Sequence, residues 1–154
     1  MSAIECQIME AAVGDLMLIR SRDKEDDPTS MTALTSGDDA DGWPYVATGL
    51  NWPTMNSNRP GLRRITNWGR LNRRAKRRDW KDEFDLLDTS RFESKVGEWN
   101  RLIVRCTGGI IVVVLNDRVV NSAFNVWPTR GKILLQSEGS EIEFRHMKLN
   151  LLFR

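Results

Sequence analysis

The C-terminal third of the chain is dense in alternating apolar and polar positions. From Trp99 to Cys106 the alternation puts Leu102, Val104 and Cys106 on one side of an extended chain, since side chains two apart share a face. Gly108-Gly109 predicts a turn and Ile110 to Leu115 a β-branched strand. Asn116-Asp117 then leads into Arg118 to Asn121, the pattern of a hairpin. Gly131 to Gln136 predicts a further strand, Ser137-Glu138-Gly139 a turn, and Glu141 to Leu151 a closing strand. In that last segment Ile142 and Phe144 share a face before the register slips at His146. Two more strands, Ala3 to Met9 and Leu16 to Arg20, flank Gly14-Asp15. No stretch has the spacing of a long amphipathic helix. Strands about 8–12 residues apart with turns between them predict an all-β sandwich or barrel.

Between residues 21 and 96 the pattern fades into long irregular loops. Asp23, Glu25, Asp26, Asp27, Asp38, Asp39 and Asp41 make one end acidic. Arg63, Arg64, Arg70, Arg73, Arg74, Lys76, Arg77 and Arg78 make the next part basic, with tryptophans interleaved. A wholly structureless loop this long is unusual inside a compact domain, so short strands are expected near Val46 to Leu50 and Arg64 to Trp68.

The length of 154 residues fits one domain, and the net charge of +2 points to no partner by itself. The basic run "GRLNRRAKRRDW" invites a nucleic-acid reading. The acids that follow neutralise it, and no nucleic-acid-binding fold pattern accompanies it. It therefore reads as a solvated loop, with no nucleic-acid partner. "SGDDADG" lacks the terminal Glu and flanking helices of an EF-hand and reads as a surface turn. One histidine, His146, excludes a multi-His metal site, and Cys6 and Cys106 read as buried small hydrophobes, with a disulfide open if their strands are neighbours. No apolar run is long enough to span a bilayer, so no membrane partner is expected. The N-terminus lacks the features of a signal peptide, which as written gives a cytoplasmic expectation.

The stretch with the most chemical promise is "IECQIME", Ile4 to Glu10. In a strand, Ile4, Cys6 and Ile8 point inward while Glu5 and Gln7 share the outer face. Glu10 joins that face only if a bulge intervenes near Ile8-Met9. The spacing resembles the Glu-x-Asp-x-x-Glu motif of laminarinase- and licheninase-type glucanases, with Gln7 replacing the middle acid. Retaining glycosidase chemistry needs two carboxyl groups about 5–5.5 Å apart, and Gln7 weakens that reading. The alternative is a strand's ordinary polar face.

A second resemblance is more specific. The segment from Gly97 to Leu152 resembles the 3-keto-disaccharide hydrolase domain family. It carries Gly97-Glu98-Trp99-Asn100, a Leu115-Asn116-Asp117 turn, "PTRGKILLQ" followed by Ser137-Glu138-Gly139, and Phe144-Arg145 opening the last strand. "AIECQIMEAAVGDLMLI" resembles the family's Ile-Glu-x-Gln-Ile segment, and Arg70-Leu71-Asn72 and "DWKD" its middle loops. The matches run from residue 3 to 152, firmest at the two ends.

The resemblance implies one domain over residues 1–154, a concanavalin A-like jelly roll of two antiparallel sheets. It implies hydrolase action on 3-keto-glycosides, by proton abstraction at C2, elimination and water addition. That route needs a general base and stabilisation of an enolate. Glu5 and Glu138 are the catalytic candidates, and Gln7, Gln136, Glu10, Asp15 and Trp127 the substrate-binding ones. No cofactor is indicated. A divalent metal would suit the enolate, but no ligand cluster supports one. The partner implied is a carbohydrate. Two alternatives are a non-catalytic carbohydrate-binding module and an inactive fragment. The family carries strands ahead of the Ile-Glu-x-Gln-Ile segment, so the resemblance implies an N-terminally truncated jelly roll with exposed edges. It implies further that a longer start, or another chain, would supply those strands, and a longer start would make the protein periplasmic or secreted.

Overall fold

In a computed structural model the described residues are 2–20, 29–34, 62–73, 92–137 and 139–151. They form an all-β jelly-roll-type sandwich of two antiparallel sheets. The strands are β1 (Ala3–Cys6), β2 (Leu16–Ile19), β3 (Ser30–Leu34), β4 (Leu62–Thr66), β5 (Gly69–Leu71), β6 (Leu102–Thr107), β7 (Ile110–Leu115) and β8 (Arg118–Trp127). One sheet has the order β1-β2-β5 and the other β4-β3-β8-β7-β6.

Turn chemistry fixes the registers. Asn116 and Asp117 lie at φ 47° and 64°, which is what a two-residue type I′ hairpin requires. Gly108 and Gly109, at φ 55° and 80°, do the same between β6 and β7. Asn116 also ties the hairpin to the preceding loop. Its Oδ1 accepts from the Arg101 amide at 2.8 Å, and its Nδ2 donates to the carbonyl of Phe92 at 2.8 Å. In β8 the register with β7 shifts at Val113/Val114, so Val120 is a bulged extra residue.

The core lies between the sheets. Leu16 and Leu18 face inward from β2, Ile111, Val113 and Leu115 from β7, and Val120, Ala123 and Val126 from β8, joined by Met31 and Ile65. Burial alternates along β7, as the sequence pattern requires of a strand with one core face.

Several expectations change. The strand expected at Ala3–Met9 stops at Cys6, because Gln7 to Asp15 close into a compact turn through Gln7 N–H to Asp15 O and Gly14 N–H to Gln7 O, each 2.8 Å. The strand expected to end at Asn121 continues to Trp127, where β8 passes from β7 to β3. Strands β3 and β5 arise inside the stretch read as irregular loop. Val46 to Leu50 lies outside the described residues. The largest change concerns Gly131–Gln136 and Glu141–Leu151. Neither joins a ladder among the described residues, and their apolar side chains are exposed. Cys106, expected to be buried, is exposed, and both cysteines are free thiols.

Candidate functional site

The three-stranded sheet carries the candidate site on its outer face. Its registers pair Ile4 with Leu18, and Cys6 with Leu16 and then Leu71, on the inner face. Glu5, Met17 and Arg70 therefore stand side by side across three strands on the outer face. Neighbouring strands are about 4.8 Å apart, so Glu5 and Arg70 flank Met17 with roughly 10 Å between their backbones. Gln7 joins them: its Nε2 contacts Met17 Sδ at 3.5 Å, and its Oε1 accepts from the Ile8 amide at 3.2 Å.

Arg70 is held by a buried carboxylate. Asp15, fully buried, accepts from Arg70 Nε at 2.7 Å and from the Arg73 amide at 2.6 Å. Such a charge-assisted contact fixes the plane of the guanidinium while a quarter of the Arg70 side chain remains accessible. Asp15 thus sits beneath the face and orients Arg70. Arg73 is itself buried. Its Nη2 donates to Glu93 Oε1 at 3.2 Å and to the carbonyl of Ala11 at 3.3 Å. Glu93 also accepts from the amides of Ala11 at 2.8 Å and Val13 at 3.1 Å. Asn121 closes the network, its Nδ2 donating to the carbonyls of Gly14 and Leu71 at 3.0 Å each. Buried polar groups are costly unless hydrogen-bonded, and this set is bonded to one turn, the one that joins the two strands bearing Glu5 and Met17.

The other candidates scatter. Glu10 is exposed in the otherwise buried turn after β1, not on the strand face, because the strand ends rather than bulging near Ile8-Met9. Trp127 is 52% exposed at the end of β8, in the other sheet. Gln136 lies in the exposed segment after β8. Glu138 lies outside the described residues.

Sequence reasoning missed Arg70 and Arg73 in the basic run, and Trp68 just before it. Arg70 was folded into a basic run read as solvated, yet it sits in a strand bonded to Asp15. Arg73 from the same run is 2% exposed, which overturns the solvated reading for that residue. The available signal was Gly69-Arg70-Leu71, where a lone apolar residue follows a turn and marks a strand with one inward position. Trp68, 59% exposed two residues before Arg70, is a second omission.

Cys6 lies under this face. Burial first, then Asp15, Cys106 and Glu5, push its thiol up to about 12, so it is protonated and unreactive at neutral pH. Cys6 and Leu102 of β6 pack against the same core cluster.

A family model described as the 3-keto-alpha-glucoside-1,2-lyase-like domain matches residues 17–150. The match includes Met17, Arg70 and Glu93, while Glu5, Gln7 and Asp15 precede it. No curated protein and no solved structure matches the chain.

Proposed function

The chain belongs to the 3-keto-alpha-glucoside-1,2-lyase-like domain family, and from that premise we propose that it cleaves the glycosidic bond of 3-keto-glycosides on the outer face of the three-stranded sheet. The observation that carries the proposal is the row Glu5–Met17–Arg70, with Asp15 fixing the guanidinium.

A 3-keto group acidifies the hydrogen on C2. Glu5 takes that proton as general base, and the electron pair moves onto the C3 oxygen as an enolate. Arg70 stabilises the developing negative charge, and its orientation is already set by Asp15, so little reorganisation accompanies the reaction. The enolate then collapses. The C1–C2 double bond forms as the C1–O bond breaks, and the departing oxygen takes up a proton. Addition of water across the new double bond completes net hydrolysis. Gln7, buried rather than open to a sugar, holds Met17 through its Nε2, and Met17 forms an apolar floor. Trp68 offers an exposed ring for stacking beside Arg70.

The test uses a 3-keto-glucoside in deuterated water. Deuterium is expected at C2 of recovered substrate or product, with release of the free aglycone. Glu5→Gln is expected to lower kcat about 10²–10⁴-fold, the usual worth of a general base. Arg70→Met is expected to lower kcat more than it raises KM, since the guanidinium acts mainly on the enolate. Full turnover by Glu5→Gln, or cleavage without deuterium at C2, would sink the mechanism. Saturable binding of the sugar with no turnover would instead favour a carbohydrate-binding module.

A further inference from the structure

The bulge in β8 turns two consecutive residues toward the interior. In a regular strand Val120 and Asn121 would point to opposite faces. With Val120 as the extra residue, Asn121 stands opposite the inward Val113, and the two are 1% and 0% exposed. An amide placed in an apolar core is costly unless it is bonded, and this one is bonded at both ends. Its Oδ1 accepts from the Ser122 amide at 2.9 Å, and its Nδ2 donates to the carbonyls of Gly14 and Leu71 at 3.0 Å each. Two carbonyls on one side and an N–H on the other fix which end is nitrogen and which is oxygen.

Those two carbonyls belong to the residues beside the Asp15–Arg70 pair. Gly14 precedes Asp15, and Leu71 follows Arg70. The ladder between β2 and β5 ends at Leu16–Leu71, one position short of Asp15. Beyond it the Arg73 amide turns instead to Asp15 Oδ1, at 2.6 Å. Where the ladder stops, Asn121 holds both backbones from the core side. The turn is seated by packing as well. Gly14, at φ 97°, lies so close to β8 that a Cβ there would come within 2.7 Å of Val120 Cγ2. Both bulge residues therefore bear on the same turn, Val120 by contact and Asn121 by hydrogen bond.

We propose that Asn121 is a positioning residue: from the opposite sheet it sets the spacing between the Asp15 turn and β5, and with it the direction of the Arg70 guanidinium. Asp15 Oδ2 meets Arg70 Nε at 2.7 Å only while the two backbones keep their separation. Once they part, the guanidinium, already a quarter accessible, is free to swing into water. Stabilisation of a developing enolate is sensitive to such a shift, since misplacement by about an ångström can cost on the order of 10²-fold. The effect on turnover rests on the role given to Arg70 above; the effect on the guanidinium does not.

Heteronuclear NMR of the arginine Nε–H groups in the full chain reads the guanidinium directly, with Arg70→Lys identifying the signal. In the unmodified chain the Arg70 Nε–H should be protected from solvent exchange. Asn121→Ser, which removes both donated bonds, is expected to speed that exchange about 10-fold. It is also expected to lower kcat on a 3-keto-glucoside about 10–10²-fold at nearly constant KM. Leu115→Ala, a core truncation that removes none of these hydrogen bonds, should leave the Arg70 signal in place, which separates positioning from general destabilisation. In an Arg70→Met background Asn121→Ser should lower kcat no further, because it acts through that guanidinium. An unmoved Arg70 signal in Asn121→Ser overturns the proposal. So does the same shift in Leu115→Ala, an unchanged kcat beside a moved signal, or an equal loss of kcat in the Arg70→Met background. A moved signal in a chain that turns over no 3-keto-glucoside upholds the positioning and overturns the chemistry alone. If Asn121→Ser fails to fold, Gly14→Ala, which lifts the turn off Val120, is expected to move the same signal, and an unmoved signal there overturns the proposal.

Discussion

Strand β7 and the tail from 131 to 151 are written in the same code and reach opposite ends. "IIVVVL" and "KILLQ" are both short apolar runs bounded by turn residues, and both predict strands. Ile110–Leu115 is paired on both sides, and its inward residues reach 0% exposure at Val113 and Leu115. Ile133 in the tail is 74% exposed. The difference lies in the neighbours. β7 is flanked by two hairpins whose turns are only two residues long, so its partners are close in sequence and their pairing involves little loop entropy. The tail has a turn, made by Ser137 Oγ donating to the Ser140 carbonyl at 3.0 Å, but pairs with no strand among the described residues. An apolar period of two therefore states that a segment is suited to a sheet, not which strand receives it.

The largest effect is expected where polar groups fix the N-terminal turn to the β7–β8 core. Glu93 neutralises the buried Arg73 and accepts two backbone amides. Glu93→Ala leaves the guanidinium buried without that carboxylate, and losses of about 3–5 kcal/mol are usual for breaking one side of a buried pair. Urea unfolding should show it. The companion change Arg101→Ala removes an exposed pair with Asp117, 2.8 Å apart, and should cost no more than about 1 kcal/mol. Equal losses from both would mean that the network around Arg73 is not what anchors the turn.

Next come two leucines. Leu115→Ala removes a fully buried side chain and should cost about 2–5 kcal/mol. Leu149→Ala, at 75% exposure, should stay within about 0.5 kcal/mol at dilutions where copies do not associate. A large loss from Leu149→Ala in a monomer would show that the tail folds onto its own chain.

Gly14 gives a smaller effect in the same core. It lies at φ 97°, and a Cβ there would meet Val120 Cγ2 at 2.7 Å and Val113 Cγ1 at 3.3 Å. Gly14→Ala is expected to cost about 1–3 kcal/mol through backbone conformation and overpacking, read from the urea midpoint at unchanged slope. No loss would mean that the bulge at Val120 yields freely.

The sequence made some of this legible and hid the rest for physical reasons. The hairpins around Asn116-Asp117 and Gly108-Gly109 were readable because turn residues and alternation act locally. So was the sharing of a face by Glu5 and Gln7, which needs only a strand. Arg70 was hidden because its partner, Asp15, is distant in sequence and charge alone reads as solvent exposure. β3 was hidden because Ser30 and Thr32 are polar yet buried, so the alternation that marks an edge or half-buried strand is missing. Strand propensity alone does not tell that Gly131–Gln136 and Glu141–Leu151 join no ladder among the described residues, since it carries no information on what is present to receive the strand.

The two thiols offer the mildest probe of the same contrast, because Cys6 is partly buried on β1 while Cys106 is exposed on β6. A maleimide should label Cys106 in the native protein and reach Cys6 only on unfolding. Protonation gives an independent readout. In the folded chain Cys6 keeps its proton up to about pH 12, whereas the unfolded thiol loses it near 9.0. Between those values the unfolded state binds fewer protons, so stability falls as pH rises. Below the lower value the contribution is fully present. Cys6→Val removes this dependence while keeping an apolar side chain. Urea midpoints at about pH 8 and about pH 11 should then drop less in Cys6→Val than in the unmodified chain. An identical drop in both would mean that the fold does not shield the Cys6 thiol from water.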